Sequence, residues 1–126
     1  MSIIKTIFLI STIILAKQES LENLILSLEI KNGEEISKYF NSESEIIINN
    51  EIHKGNKYQQ SKTLDNFYND NNINKFNIIH KGDSENNIIY ILAEYSSNSD
   101  LYKILLILKN KNNSYIIEKF KIDSTS

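Results

Sequence analysis

The second half of the chain decides the fold, because four apolar runs follow one another there at close intervals. They read KFNIIHK (75–81), IIYILAEYS (88–96), LYKILLILK (101–109) and YIIEKFKI (115–122). Apolar residues recur at every second position within these runs, which is typical of strands with one buried face. The connections are short and rich in Asn, Ser and Asp, as hairpin turns are. The sequence therefore predicts a four-stranded antiparallel meander.

The first half of the chain predicts helices and one further strand. Apolar residues recur at the spacing of one helix face over 19–32, and Asn32-Gly33 is a typical helix stop. The other expected elements are a short helix over 34–40, a strand over 44–52 and a helix over 57–70 that Asn56 and Gln59 cap. Helices gathered on one side of an antiparallel sheet define the α+β class.

Residues 1–16 have the pattern of a secretory signal peptide. Lys5 stands in a short start, the following apolar run carries no charge, and Ala16 is a suitable residue before a cleavage point. The run is too short to cross a membrane, which takes about 20 apolar residues. We therefore expect removal of 1–16, export to the periplasm and a single domain over 17–126. An uncleaved N-terminal anchor and a buried first helix are the alternative interpretations.

The composition argues against several classes of function. All 14 cationic residues are Lys, the formal net charge is −2, and the chain has no Arg and no Cys. Nucleic-acid binding normally shows a basic stripe, so we do not expect it here. Without Cys the chain forms no disulfides and performs no thiolate chemistry. The abundance of Ile, Asn and Lys, which have A/T-rich codons, indicates an A/T-rich genome, so the missing Arg says little about function.

Four features of the chain recur together in one known family. They are ISKYFN (36–41), Tyr58, FNIIHKG (76–82) and YIIEKFKI (115–122). In this order and spacing they resemble the Bacteroidetes family known as domain of unknown function 4783, over nearly the whole of 17–126. The resemblance implies an exported protein with the nuclear-transport-factor-2-like, cystatin-like fold. In that fold a curved antiparallel sheet of about four to six strands wraps around two or three helices to form a cone. The resemblance implies no reaction.

Strand alternation places two ionisable side chains on the predicted inner face of the sheet. Phe76, Ile78 and His80 share one face of the first run, and Glu118 shares a face with Phe120 in the last run. A histidine and a desolvated carboxylate in one pocket could shuttle a proton, as in a small lyase or isomerase. This hypothesis predicts that the two side chains lie within about one water's reach of each other. The alternative is that His80 bonds a turn and Glu118 pairs with a Lys or reaches the rim.

The same alternation gives candidate ligand-binding residues, which are Phe76, Ile78, Tyr90 and Phe120. The second histidine, His53, is expected on the surface. The sequence has no metal-binding motif with closely spaced ligands, so neither a metal site nor a cofactor is expected.

The favoured interpretation is a non-catalytic exported domain that binds a small ligand or another protein. Whether the chain is an enzyme stays open, with the lyase or isomerase hypothesis as one alternative and an uncleaved, membrane-tethered structural protein as the other. A homodimer surface on one sheet face is also expected. Its apolar positions would be Ile89, Ile91, Leu105 and Ile107.

Overall fold

The structure of the chain is a computed structural model that describes residues 21–125, so the expected signal peptide over 1–16 and the start of the first helix lie outside the described residues. The helices are α1 over 21–29, α2 over Gly33–Ser37 and α3 over Lys57–Asp70. The strands are β1 Ser44–Ile48, β2 Glu51–Gly55, β3 Lys75–Ser84, β4 Ile88–Ser96, β5 Leu101–Lys111 and β6 Ser114–Ser124. The predicted α+β class is confirmed.

The six strands form one curved, open sheet in the order β2-β1-β6-β5-β4-β3. The predicted meander of four strands, β3 to β6, is confirmed, with each strand antiparallel to the next. The pair β1 and β6 is parallel, which joins the short β1–β2 hairpin to the meander. The helices pack on one side of this sheet, which we call the inner face, and the opposite side is the outer face.

The segment over 44–52, predicted as one strand, is a hairpin. Asn49 and Asn50 have φ angles of 48° and 69°, and they form a two-residue turn between the paired residues Ile48 and Glu51. Such a turn needs left-handed backbone at both positions, and Asn adopts it more readily than other side-chain-bearing residues. The turn pairs Ile52 with Ile47, so Ile52 lies on the outer face and is 56% exposed.

The first helix ends at residue 29, three residues before the predicted end at 32. Lys31 takes the left-handed position with φ of 59°, and the Asn32 N–H donates to the Ser27 carbonyl at 3.0 Å, which closes the helix end. Gly33 instead begins α2, where a Cβ atom would stand 2.8 Å from the Ser61 carbonyl oxygen of α3. The glycine is therefore required for close helix packing and not for a turn.

The cap of α3 follows the sequence prediction. The Asn56 side chain accepts a hydrogen bond from the Gln59 N–H at 2.9 Å, and the Gln59 side chain accepts one from the Asn56 N–H at 2.9 Å. This reciprocal pair satisfies two backbone donors that the start of a helix leaves open. It fixes where α3 begins relative to the hairpin.

Two β-bulges interrupt the alternation of side chains in the meander. In β3 the pairing passes from Ile78 with Ala93 to His80 with Leu92, so Ile79 is the extra residue. In β6 the pairing passes from Lys119 with Ile107 to Ile117 with Leu108, so Glu118 is the extra residue. A bulge moves the side chains beyond it out of step with strict alternation.

The core lies between the inner face and the helices. The helices contribute Leu24, Leu28, Ile36, Leu64 and Phe67, and the sheet contributes Ile46, Ile91, Tyr95, Ile104, Leu106, Leu108, Ile117, Phe120 and Ile122. Each of these side chains is almost entirely removed from water. The burial in β5 falls on every second residue, as a strand with one covered face requires.

Candidate functional site

The inner face, where the sequence predicts a pocket, is filled by large side chains. Tyr95 and Phe120 are both 0% exposed, and the Tyr95 hydroxyl donates to the Leu28 carbonyl of α1 at 2.6 Å. The Tyr68 hydroxyl lies 2.7 Å from that of Tyr95, so a short polar chain links α3, β4 and α1. Burial raises the pKa of both tyrosines, which keeps the two hydroxyls protonated and hydrogen-bonded.

The expectation that His80 and Glu118 face a common interior is wrong. Both residues are exposed, because the bulge at Ile79 turns His80 outward and Glu118 is itself the extra residue of a bulge. Two strands separate β3 from β6, so their backbones lie about 14 Å apart, far beyond one water's reach. The His80 Nε2 atom instead lies 3.4 Å from the Tyr90 hydroxyl. The alternative that Glu118 reaches the surface fits this placement.

The four candidate ligand-binding residues do not line one cavity. Phe120 is in the core, and Phe76 packs partly buried against Tyr95 with 5.3 Å between ring centroids. Ile78 lies at the edge of the inner face and is 38% exposed. Tyr90 is on the outer face, where its ring covers Gly82 of the neighbouring strand. A role for these side chains in binding stays a prediction. Within residues 21–125, no cluster of three or more His, Asp or Glu side chains could hold a metal ion.

The outer face carries an apolar row that crosses five strands. The register places Leu92 beside Leu105, Leu105 beside Lys121, Lys121 beside Ile47, and Ile47 beside Ile52. We call these five residues the outer row. Leu92 is 41% exposed, and Leu105 and Ile47 are partly exposed, so this surface meets water although four of its five side chains are purely apolar. Tyr90 and Ile107 extend it as a paired second row.

Charges of both signs border the outer row. Glu94, Lys103 and Asp123 pair across β4, β5 and β6 on one side, and Lys119 stands beside Ile107 on the other. Lys121 Nζ lies 3.6 Å from the Asp123 carboxylate, so the charge of this lysine is paired with a carboxylate of the rim. The surface is thus an apolar strip with a mixed polar rim, the arrangement that protein interfaces share.

The predicted dimer surface combined residues of two faces. Ile91 is fully buried on the inner face and Ile89 packs against the core, so neither belongs to a surface shared with Leu105 and Ile107. Leu105 and Ile107 do lie on the outer face. Charge could have identified the residues of the outer face. Glu94 lies on the same side of β4 as Leu92 and Tyr90, and a half-exposed carboxylate indicates the side that faces water.

The similarity of this chain to known proteins agrees with this fold. The family described as "Domain of unknown function (DUF4783)" matches residues 16–123, and the chain therefore belongs to that family. A solved family protein from Bacteroides uniformis is 21% identical, with a TM-score of 0.74 over 83% of this chain and 96% of that one. No curated protein matches this sequence.

Two more distant structures place the fold in the nuclear-transport-factor-2-like class. An NTF-2-like protein of unknown function from Silicibacter pomeroyi is 10% identical, with a TM-score of 0.61 over 91% of this chain and 98% of that one. A ketosteroid isomerase-like protein from Erwinia carotovora is 6% identical, with a TM-score of 0.63 over 86% of this chain and 93% of that one. Such low identities establish the fold and no activity. Among residues 21–125, no helix has both the length and the apolarity to span a membrane.

Proposed function

We propose that this chain is a non-catalytic interaction domain that associates with a second copy of itself through the outer row. The observation that supports the proposal is the continuity of the row from Leu92 to Ile52 across five strands. Exposed apolar area costs free energy, at roughly 25 cal/mol per Å². A contiguous strip of this kind on a sheet face marks a binding surface more often than scattered single residues do.

The size of the outer face supports a protein partner. Six strands spaced about 4.8 Å apart, of which four have nine to eleven residues, offer roughly 800 Å² of surface. A standard interface takes about 800 Å² from each partner. The outer face is therefore large enough for most of one protein interface.

The rim charges favour a second copy as that partner. Glu94 and Asp123 are acidic, whereas Lys103 and Lys119 are basic, so neither sign dominates the border of the outer row. A strongly charged partner would find no complementary field there, whereas an identical surface presents both signs. A two-fold homodimer also uses one patch twice, which is the commonest assembly of soluble proteins.

We also propose that the protein acts after export, as the charge-free run before Ala16 favours. An enzymatic function gains no support from the geometry, because His80 and Glu118 lie on separate strands and are both exposed. Native mass spectrometry of protein recovered from the envelope fraction tests export directly. A subunit that begins near Lys17 is expected, and a subunit that retains its first residues would contradict cleavage.

Self-association is tested by sedimentation equilibrium of the full chain and of a matched pair of variants. Leu92→Lys puts a charge into the outer row, whereas Leu26→Lys changes a leucine of α1 that is likewise exposed, at 51%. We expect the wild type and Leu26→Lys to form dimers of similar affinity. For Leu92→Lys we expect a dimer dissociation constant that is more than about tenfold higher.

A monomeric wild type at every concentration would contradict the homodimer, and so would a Leu92→Lys variant that dimerises like the wild type. Thermal unfolding of both variants provides the folding control. Because both leucines are already half in water, each substitution should change the free energy of unfolding by less than about 1 kcal/mol.

A further inference from the structure

A groove of about 270 Å³ opens between the β1–β2 hairpin and α3, on the helix side of the sheet and away from the outer row. Its walls include Ile48 and His53 of the hairpin. From the helix come Thr63, Asn66, Phe67 and Asp70. The groove therefore brings polar groups of two elements together beside two apolar side chains, those of Ile48 and Phe67.

The hairpin is held on α3 by one buried amide, that of Gln60. Gln60 is 0% exposed, and its Nε2 atom donates to the carbonyl oxygens of Ser44 at 2.8 Å and of His53 at 2.9 Å. His53 pairs with the buried Ile46, so its side chain lies on the inner side, facing the helix. The sequence prediction of a surface position for His53 is thus only partly met, because this residue is half-buried.

The helix presents its polar groups along one stripe. Thr63, Asn66 and Asp70 follow one another at intervals of three and four residues, which places them on the same side of α3. Within residues 21–125, the His53 ring, the Asn66 amide and the Asp70 carboxylate make no hydrogen bond or ion pair with another side chain. Their polar atoms are therefore available to a ligand.

The charge of the groove favours a cation. The chain has 14 lysines, yet none of the groove's walls is a lysine, and Asp70 supplies one negative charge. Asp70 is also the last residue of α3, and the last turn of that helix holds no basic residue. The carbonyl end of a helix carries partial negative charge, which adds to that of the carboxylate.

We propose that the groove binds a primary alkylammonium group, with the ammonium at Asp70, Asn66 and His53 and the alkyl chain over Ile48 and Phe67. An ammonium has three donors, which the carboxylate, amide and imidazole acceptors can share. The apolar base then shields methylene groups from water, a contribution that a bare metal ion would not use. The proposal does not depend on dimerisation, because the outer row lies on the other face of the sheet.

The first measurement is an amide chemical-shift titration of the full chain with 1,4-diaminobutane. The control ligand is 1,4-butanediol, which has the same chain length and no charge. We expect the diamine to shift the amide resonances of the groove residues His53, Asn66 and Asp70 in a saturable manner. We expect the diol to leave these resonances unchanged. Equal responses to both ligands, or diamine shifts of equal size beside exposed carboxylates outside the groove, would overturn the proposal.

A pair of charge variants tests whether Asp70 is responsible. Asp70→Asn keeps the shape and removes the charge, and it should not unfold α3, because a negative charge at this helix end is unfavourable. Asp83→Asn removes the same charge from an exposed position of β3, outside the groove. We expect about tenfold weaker diamine binding for Asp70→Asn, as loss of a charged hydrogen bond predicts, and no change for Asp83→Asn. Unchanged affinity in Asp70→Asn would overturn the proposal.

A third probe identifies the source of the ammonium group. N-acetyl-lysine methylamide carries the same group on a peptide unit, as a partner protein would. Tighter, Asp70-dependent binding of this amide supports the site with a peptide lysine as its occupant, and tighter binding of the diamine supports the site with a free amine. Failure of both probes to bind would reject the site, and it would leave the homodimer test unaffected.

Discussion

The two faces of the same strands have similar sequences and opposite surroundings. On β5 the residues Ile104, Leu106 and Leu108 are at most 1% exposed, whereas Leu105 and Ile107, which alternate with them, are partly exposed. Both sets are aliphatic, so hydrophobicity does not distinguish them. The difference comes from the helices, which cover the inner face and leave the outer row facing water. Each of these apolar strands therefore has two faces that burial would stabilise. Within residues 21–125, the helices cover only the inner one.

The largest test of this comparison contrasts neighbouring residues of β6. Phe120 is fully buried and contacts the ring of Phe40 at 6.1 Å between centroids, whereas Lys119 is exposed. We expect Phe120→Ala to lower the free energy of unfolding by about 3–5 kcal/mol, and Lys119→Ala to change it by less than about 0.5 kcal/mol. Urea unfolding measures both, and losses of similar size would show that the two faces are not energetically distinct.

A smaller effect is expected from removing one hydroxyl on each face. Tyr95→Phe deletes the bonds to the Leu28 carbonyl and to Tyr68, and leaves a buried acceptor without its donor. The expected loss is about 1–3 kcal/mol of unfolding free energy. Tyr90→Phe removes an exposed hydroxyl whose contact with His80 is long, at 3.4 Å, and should cost less than about 0.5 kcal/mol.

The Tyr95→Phe variant also tests the burial of the inner face at alkaline pH. Burial raises the pKa of Tyr68 and Tyr95 above the ordinary value of about 10, so between the two values the unfolded chain loses protons that the folded chain keeps. Stability is complete below about pH 10 and falls as the pH rises further, by up to about 1.4 kcal/mol per pH unit for each tyrosine. Urea unfolding between about pH 9 and 11 should show a shallower fall for Tyr95→Phe than for the wild type. Equal slopes for the variant and the wild type would contradict this.

The smallest effects are expected for His80 and Glu118, the two residues that strict strand alternation predicted on one inner face. His80→Gln and Glu118→Gln change exposed side chains beside β-bulges, so each should alter the unfolding free energy by less than about 0.5 kcal/mol. Glu118→Gln should also leave dimer formation unchanged, because Glu118 is the extra residue of the β6 bulge and lies outside the outer row. A loss above about 1 kcal/mol in either variant would show that the side chain takes part in packing at its bulge.

Local chemistry made part of the fold predictable. The α3 cap needs only Asn56 and Gln59, three positions apart, and the structure has the predicted reciprocal bonds. Asn also explains the missed hairpin, because Asn49-Asn50 performs the role that Asn-Gly has in most two-residue turns. Asn112 and Asn113 adopt the same left-handed conformation between β5 and β6. A reading that treats Asn-Asn as a turn signal would have divided 44–52 correctly.

The candidate site was not predictable in the same way. One extra residue in β3 and one in β6 are enough to carry His80 and Glu118 away from the face that alternation assigns, and no composition signal marks either bulge. The hairpin beside α3 is bonded to that helix by Gln60, whose two carbonyl partners are 7 and 16 residues away along the chain. The polar side chains of the groove come from separate elements, so their meeting is not visible in either segment alone.

The sequence by itself determined the class of the protein, the meander, the helix cap and the family, because each of these depends on residues that are close along the chain or on their order. Only the tertiary structure decided which face of each strand is buried, where alternation breaks, and why Gly33 stands at the start of α2. These features depend on strand register and on the approach of α2 to α3, and they are set by contacts between distant segments. Alternation gives each strand two faces, and packing energy selects the one that the helices cover.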